Sequence, residues 1–199
     1  MDKEVDYSAE GIAIPVNGMF TIPDGAGNPT YTVADGTGEG SYAGGKLTVT
    51  KCGTFTVTVN TEETDTHTAT TASATLTVNK VMPNVIAPKA IQGLIYNGGA
   101  QTLVIAGNTT GGTLKYAVTT ENSKPISGYD VALPTGIKAG KYYMWYRVEG
   151  NDNYNDFDAD DPVEVTIDMK TLEPGTGGQG GEGGTDGNIV IELDPTSFT

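Results

Sequence analysis

Apolar and polar residues alternate along most of this chain. In "GKLTVTKCGTFTVTVN", Leu47 and Val49, then Phe55, Val57 and Val59, recur at every second position, mostly with threonine between them. "SATLTVNK" repeats the pattern with Ala74, Leu76 and Val78. Period-two alternation puts one set of residues on each face of a strand, so these runs predict half-buried β-strands. Further runs are "GGTLKYAVTT", "KYYMWYRVEG" and "PVEVTIDMK". Each is short and bounded by Gly, Pro, Asn or Asp, which supply turn backbones. No segment carries helical periodicity with a cap. The pattern predicts an all-β chain of many short strands, closing as sandwiches or barrels.

The pattern also occurs twice. A shift of 87 positions carries Lys51 onto Lys138, Gly53 onto Gly140, Phe55 onto Tyr142, Val57 onto Met144 and Val59 onto Tyr146. It continues without a gap through Glu62 and Glu149, Asp65 and Asp152, His67 and Tyr154, to Val78 and Val165. A repeat of that length is the size of one immunoglobulin-like sandwich. The expected organisation is therefore two consecutive immunoglobulin-like β-sandwiches, residues 1–80 and 81–169. The join "VNKVMPNV" has no Gly/Ser spacer, which predicts units set end to end with limited freedom. Residues 170–187 are a Gly-rich linker, because "EPGTGGQGGEGGTDG" cannot bury enough apolar area to offset chain entropy. Residues 188–199, "NIVIELDPTSFT", alternate again and read as an extra strand or the start of a truncated third repeat.

Composition narrows the function classes. The net charge of −14 opposes nucleic-acid binding, which needs clustered Lys and Arg, and opposes docking to anionic lipid. The single cysteine, Cys52, excludes a disulfide within the chain. No apolar run is long enough to cross a bilayer as a helix. The opening "MDKEVDYSAEG" has no apolar h-region, so it is not itself a secretory signal.

With these residues in view, "NGMFTIPDGAGNPTYTV" followed by "GGKLTVTKCGTFTVTVNTEETDTHTATTASATLTVNK" resembles the bacterial Ig-like tandem repeats of gut bacterial surface proteins. "LIYNGGAQTLVIAGNTTGGTLKYAVT" with "LPTGIKAGKYYMWYRVEGNDNYND" is similar to a companion repeat type, with its Y-N-G turn and A-G-x-Y strand. "IELDPTSFT" is similar to the first strand of another such repeat. The resemblance implies extracellular tandem spacers and adhesive modules on bacterial cell surfaces; related modules decorate phage particles. Cys52 departs from the small residue that the resemblance implies between Lys and Gly.

The residues offer little for catalysis. His67 is the sole histidine, and Cys52 is one strand away from it rather than beside it. A nucleophile needs an adjacent oriented base, so no catalytic residue is assigned. One Cys and one His cannot supply a zinc site, and the Gly-rich segment lacks the Lys-Ser/Thr ending of a phosphate loop. Lys51 and Lys138, each one residue before a strand-opening Ala/Cys-Gly, read as exposed lysines rather than as isopeptide partners.

Two stretches remain as candidate sites. In "EGNDNYNDFDADDP", Asp152, Asn153, Asn155, Asp156, Asp158 and Asp160 supply oxygens of the kind calcium takes. The EF-hand spacing fails, since Asp156 stands where Gly is required and Pro162 where a bidentate Glu is required. The competing reading is a solvated hairpin turn whose charges block edge-to-edge pairing. In "KYYMWYRVEG", Tyr142, Met144 and Tyr146 take the core face by repeat match. That sets Tyr143, Trp145 and Arg147 on the other face, either covered by a neighbouring strand or tail, or forming a glycan or protein contact patch. The leading expectation is a non-enzymatic spacer or adhesion module of a bacterial surface protein. Its partners would be neighbouring Ig-like domains and surface glycans, and it would need no cofactor beyond the candidate calcium. The alternatives are a phage virion decoration or fibre protein that contacts capsid proteins and host glycans, and an accessory domain of a carbohydrate-active enzyme.

Overall fold

A computed structural model describes residues 1–171. The expected closing strand, and all but the start of the expected linker, lie outside the described residues. Every regular element within them is a β-strand, and among them no helix is long and apolar enough to cross a membrane.

The strand ladders separate into two sets. The first unit contains β1 (Lys3–Asp6), β2 (Ile12–Ala13), β3 (Thr30–Asp35), β4 (Glu39–Ala43), β5 (Lys46–Lys51), β6 (Gly53–Thr61) and β7 (Thr70–Asn79). They form one sheet ordered β1-β7-β6-β3 and a second ordered β2-β5-β4. The second unit contains β8 (Val85–Ile86), β9 (Lys89–Ala90), β10 (Leu94–Ile95), β11 (Gln101–Thr102), β12 (Val104–Ile105) and β13 (Asn108–Thr109). It continues with β14 (Thr113–Thr119), β15 (Thr135–Gly136), β16 (Gly140–Glu149), β17 (Phe157–Asp158) and β18 (Val163–Asp168). Its main sheet is ordered β10-β18-β16-β14, with β17 also on β16; β8, β9 and β11 pair with β13, β12 and β15.

Alternation builds both cores. In the first unit Phe55 faces Leu76 and Val57 faces Ala74 across the β6–β7 ladder. These residues pack with Ile12, Leu47 and Val49 from the opposing sheet. The threonines between them face outward, where Thr58 Oγ1 and Ser73 Oγ lie 2.8 Å apart across the ladder. In the second unit Met144, Val165, Ile167 and Tyr116 pack with Leu103 and Val104, and Tyr142 and Tyr146 border that core. The core-face placement of Tyr142, Met144 and Tyr146 thus follows from the repeat.

The two units share details that the sequence match only hinted at. β1 runs parallel to β7, with Val5 opposite Val78, and β10 runs parallel to β18, with Leu94 opposite Ile167. Tyr7 N–H then donates to Asn79 O at 2.9 Å, and Tyr96 N–H to Asp168 O at 2.8 Å. Gly53 and Gly140, which open β6 and β16, take φ of 149° and 146°, a backbone that L side chains avoid.

The gap-free alignment needs one correction. Gly53 pairs with Val78, but Gly140 pairs with Ile167 rather than Val165. Near the turn, Val148 pairs with Phe157, in keeping with the shift of 87. The second unit therefore inserts two residues between β17 and β18, within Ala159–Pro162. An insertion of two preserves which side chains face the core, so alternation alone could not reveal it.

Candidate functional site

The turn that joins β16 to β17 sits where the two units meet. Asn151 Oδ1 accepts from Asn153 N at 2.9 Å and Tyr154 N at 3.0 Å, which closes the turn, and Asn151 N donates to Tyr154 O at 3.0 Å. The first unit builds the same turn with threonine. Thr64 Oγ1 accepts from Thr66 N at 3.4 Å and His67 N at 3.1 Å, and Thr64 N donates to His67 O at 2.8 Å. A short oxygen acceptor bonding backbone two and three residues on is why Asn and Thr both serve here.

Among the described residues, only the second copy of this turn engages another unit. Asn153 Oδ1 accepts from Cys52 N at 3.0 Å, while Asn153 Nδ2 donates to Thr50 O at 3.0 Å. Cys52 N also reaches Asp152 O at 3.2 Å. Lys80 Nζ donates to Asn151 O at 2.7 Å. The connecting segment is held as well: Val81 N donates to Asn153 O at 3.2 Å and Asn155 N to Val81 O at 2.9 Å. Tyr7 of the first unit packs edge-on against Tyr154 with centroids 5.4 Å apart. Gly111 lies directly against the Tyr154 ring, where any Cβ would collide with it.

Each residue of the calcium candidate thus has a described position. Asn153 and Asn155 spend their amides on the first unit and on the connection, Asn155 Nδ2 donating to Lys80 O at 3.4 Å. Asp152 contributes its backbone carbonyl to Cys52. Asp156 Oδ1 accepts from Gly150 N at 2.7 Å. Asp158 lies 4.0 Å from Lys124 Nζ, and Asp160 is exposed. Among the described residues no three His, Cys, Asp or Glu side chains converge on one point. Cys52 is half-buried at this joint; burial pushes its thiol pKa up and Asp152 adds to the rise, while Lys80 opposes it. His67 lies beyond the far end of the nine-residue strand β6, roughly 30 Å away at the usual strand rise. Lys51 is half-buried rather than exposed, its Nζ 3.3 Å from Glu39 Oε1.

The aromatic strand departs from an open contact row. Trp145 is only 4% exposed. It sits opposite Ala117, and its Nε1–H donates to Thr119 Oγ1 at 3.2 Å. Tyr143 and Arg147 remain half-buried. The Arg147 guanidinium lies over the Tyr129 ring, 4.5 Å from its centroid, and donates to Glu149 Oε1 at 3.3 Å. The loop after β14 therefore reaches across this face, and Tyr129 is a site residue that sequence patterning missed. Its loop has no periodicity to mark which side chain turns inward. Burial pushes the Tyr129 phenol pKa up and Asp158 adds to this, with Arg147 opposing. Tyr129 OH and Arg147 Nε are buried without a hydrogen-bond partner among the described residues. They border a cleft of about 300 Å³ formed with Lys124, Pro125, Ile126 and Asp158. No protein-family model matches the sequence, and no curated protein matches it.

Proposed function

We propose that the chain is a non-enzymatic tandem spacer: two immunoglobulin-like units held end to end as a stiff segment of an extracellular bacterial surface protein. The joint carries this reading. Asn153 brackets Cys52 and Thr50 from the neighbouring unit, and the connection itself is hydrogen-bonded on both sides of Val81. A spacer transmits position, so the angle between its units must be held by bonds rather than left to a free linker. The separation of Cys52 from His67 along β6 agrees with a role outside catalysis. Residual dipolar couplings on the intact chain, with small-angle scattering, test the reading. They should fit one orientation of the two units. A broad spread of orientations would overturn it.

Adhesion is the second reading, favoured by the cleft beside Arg147. Buried polar atoms without partners cost free energy unless a ligand satisfies them. Tyr129 OH and Arg147 Nε offer such contacts to a glycan hydroxyl or a protein carbonyl. The virion and accessory-domain alternatives would use the same cleft with different partners. Glycan-array binding lost on Arg147→Ala supports adhesion; binding unchanged by that substitution removes the cleft from consideration.

A further inference from the structure

The joint is a head-to-tail contact, and each of its two surfaces occurs a second time in the chain without a described partner. The turn Asn151–Tyr154 caps one end of the second unit; its equivalent, Thr64–His67, caps the same end of the first unit. The surface that receives the turn is formed by Tyr7, Thr50, Cys52 and Lys80. By register its equivalents in the second unit are Tyr96, Ile137, Ala139 and Met169.

These outer surfaces differ from the inner ones in a complementary way. The receiving end of the second unit is more apolar than that of the first. Ile95, Ile137 and Met169 are 54%, 50% and 80% exposed there, where the first unit has Asp6, Thr50 and Lys80. At the first unit's turn end, a cavity of about 370 Å³ opens between the β6–β7 hairpin and the loop after β2, lined by Met19, Phe20, Ile22, Val59, Thr70 and His67 among others. The second unit fills the equivalent space from within. Tyr146, Val148 and Phe157 stand where the first unit has Val59, Thr61 and Thr70, and the rings of Tyr146 and Phe157 lie 6.3 Å apart. Charge also matches: Glu62, Glu63 and Asp65 surround the first turn, and Lys138 and Lys170 flank the exposed receiving end.

We infer that the chain associates with a second copy of itself head to tail, the turn end of one copy's first unit seating on the receiving end of another copy's second unit. Exposed apolar side chains at the receiving end, matched to the apolar lining of the cavity at the turn end, drive the contact. His67 would take the place of Tyr154 against Tyr96, and the apolar side chains around Met169 would enter the open cavity. The contact joins unlike surfaces, so each pairing leaves one end of each kind free and assembly continues past the dimer. It is weaker than the internal joint for two reasons: Thr66 replaces the bracketing Asn153, and no covalent connection raises the local concentration. This inference rests on the spacer reading, whose geometry it continues.

Sedimentation velocity on the intact chain, up to millimolar concentration, tests it. The weight-average mass should rise with concentration without a plateau at dimer. Thr70→Phe fills the cavity as Phe157 does in the second unit, and Met169→Glu sets a like charge against Asp65. Each variant alone should stay monomeric, and an equimolar mixture should form dimers and stop there. Thr66→Asn installs the missing bracket and should shift association to roughly tenfold lower concentration. A monomer at every concentration, association that survives in both blocked variants, or a mixture that stays monomeric would overturn the inference. A monomer whose two units still share one orientation would overturn it while leaving the spacer reading intact.

Discussion

Replacing Asn153 by alanine should loosen the joint without unfolding either unit. The substitution removes two hydrogen bonds to the first unit, from Cys52 N and to Thr50 O, both 3.0 Å long. Each contributes about 1 kcal/mol net. Cys52 N keeps its 3.2 Å contact to Asp152 O, so that donor is not stranded. The loss should therefore be about 1–2 kcal/mol, roughly five- to thirtyfold in the ratio of undocked to docked molecules. The turn itself survives, because Asn151 Oδ1 still takes the backbone N–H groups of residues 153 and 154. Cys52 is the sole cysteine and lies at the joint, so its alkylation reports opening. Burial holds its thiol pKa above the usual value, so labelling of the docked form at neutral pH is slow. When reclosing outruns labelling, the rate follows the open population and should rise by the same factor in Asn153→Ala. Asn60→Ala, on the β6–β7 hairpin far from the joint, serves as the control. An unchanged labelling rate at unchanged melting temperature would refute the assignment of Asn153 as the bracket.

The two strand-opening glycines share a φ but not their surroundings. Gly140→Ala meets only backbone strain, since no other atom lies within 4 Å of the added Cβ, and should cost about 1–3 kcal/mol in thermal unfolding. Gly53→Ala also drives its Cβ into the backbone of Gly38 and of Thr37, whose carbonyl carbon lies 2.7 Å away, and should cost about 4 kcal/mol or more; equal costs would refute the contact. Phe55→Ala should destabilise the first unit by about 3–5 kcal/mol, since the ring is fully buried among Leu47, Leu76 and the Gly38–Gly40 backbone. The Glu149 carboxyl is held below the usual carboxylate range, first by its hydrogen bond from Lys115, with Arg147 adding to this. Any stability from this shift is present above the unfolded carboxylate pKa of about 4.3 and is lost as pH falls through the lower folded value. Lys115→Met should raise the Glu149 midpoint in a carbon-detected NMR titration; no change would remove Lys115 as the main cause.

Alternation made the cores legible because a two-residue period maps directly onto a two-faced strand. Phe55, Val57, Leu76 and Val78 needed nothing beyond that rule, and the repeat carried it to Met144. Trp145 was harder. Alternation set it opposite the core, but a second burial on that face depends on Ala117 across the ladder and on the loop carrying Tyr129, which has no period. The acidic turn was half legible. Its repeat match with Thr64–His67 showed that it needed no ion to exist. Nothing local marked Asn153 as the bracket, because its partners Cys52 and Thr50 lie more than a hundred positions earlier.

The two residues inserted before β18 set a rule for how this chain can change length. A second pair added beside Ala159–Pro162 would leave Val163, Val165 and Ile167 facing the same way, and the sheet would accept it as a larger bulge. Removing one of Asp160 or Asp161 would leave a one-residue bulge, of the kind the β4–β5 ladder already carries between Glu39 and Gly40. Deleting both Asp160 and Asp161 restores the uninterrupted length of β7 in the first unit, so that variant should fold with Val163, Val165 and Ile167 still on the core face.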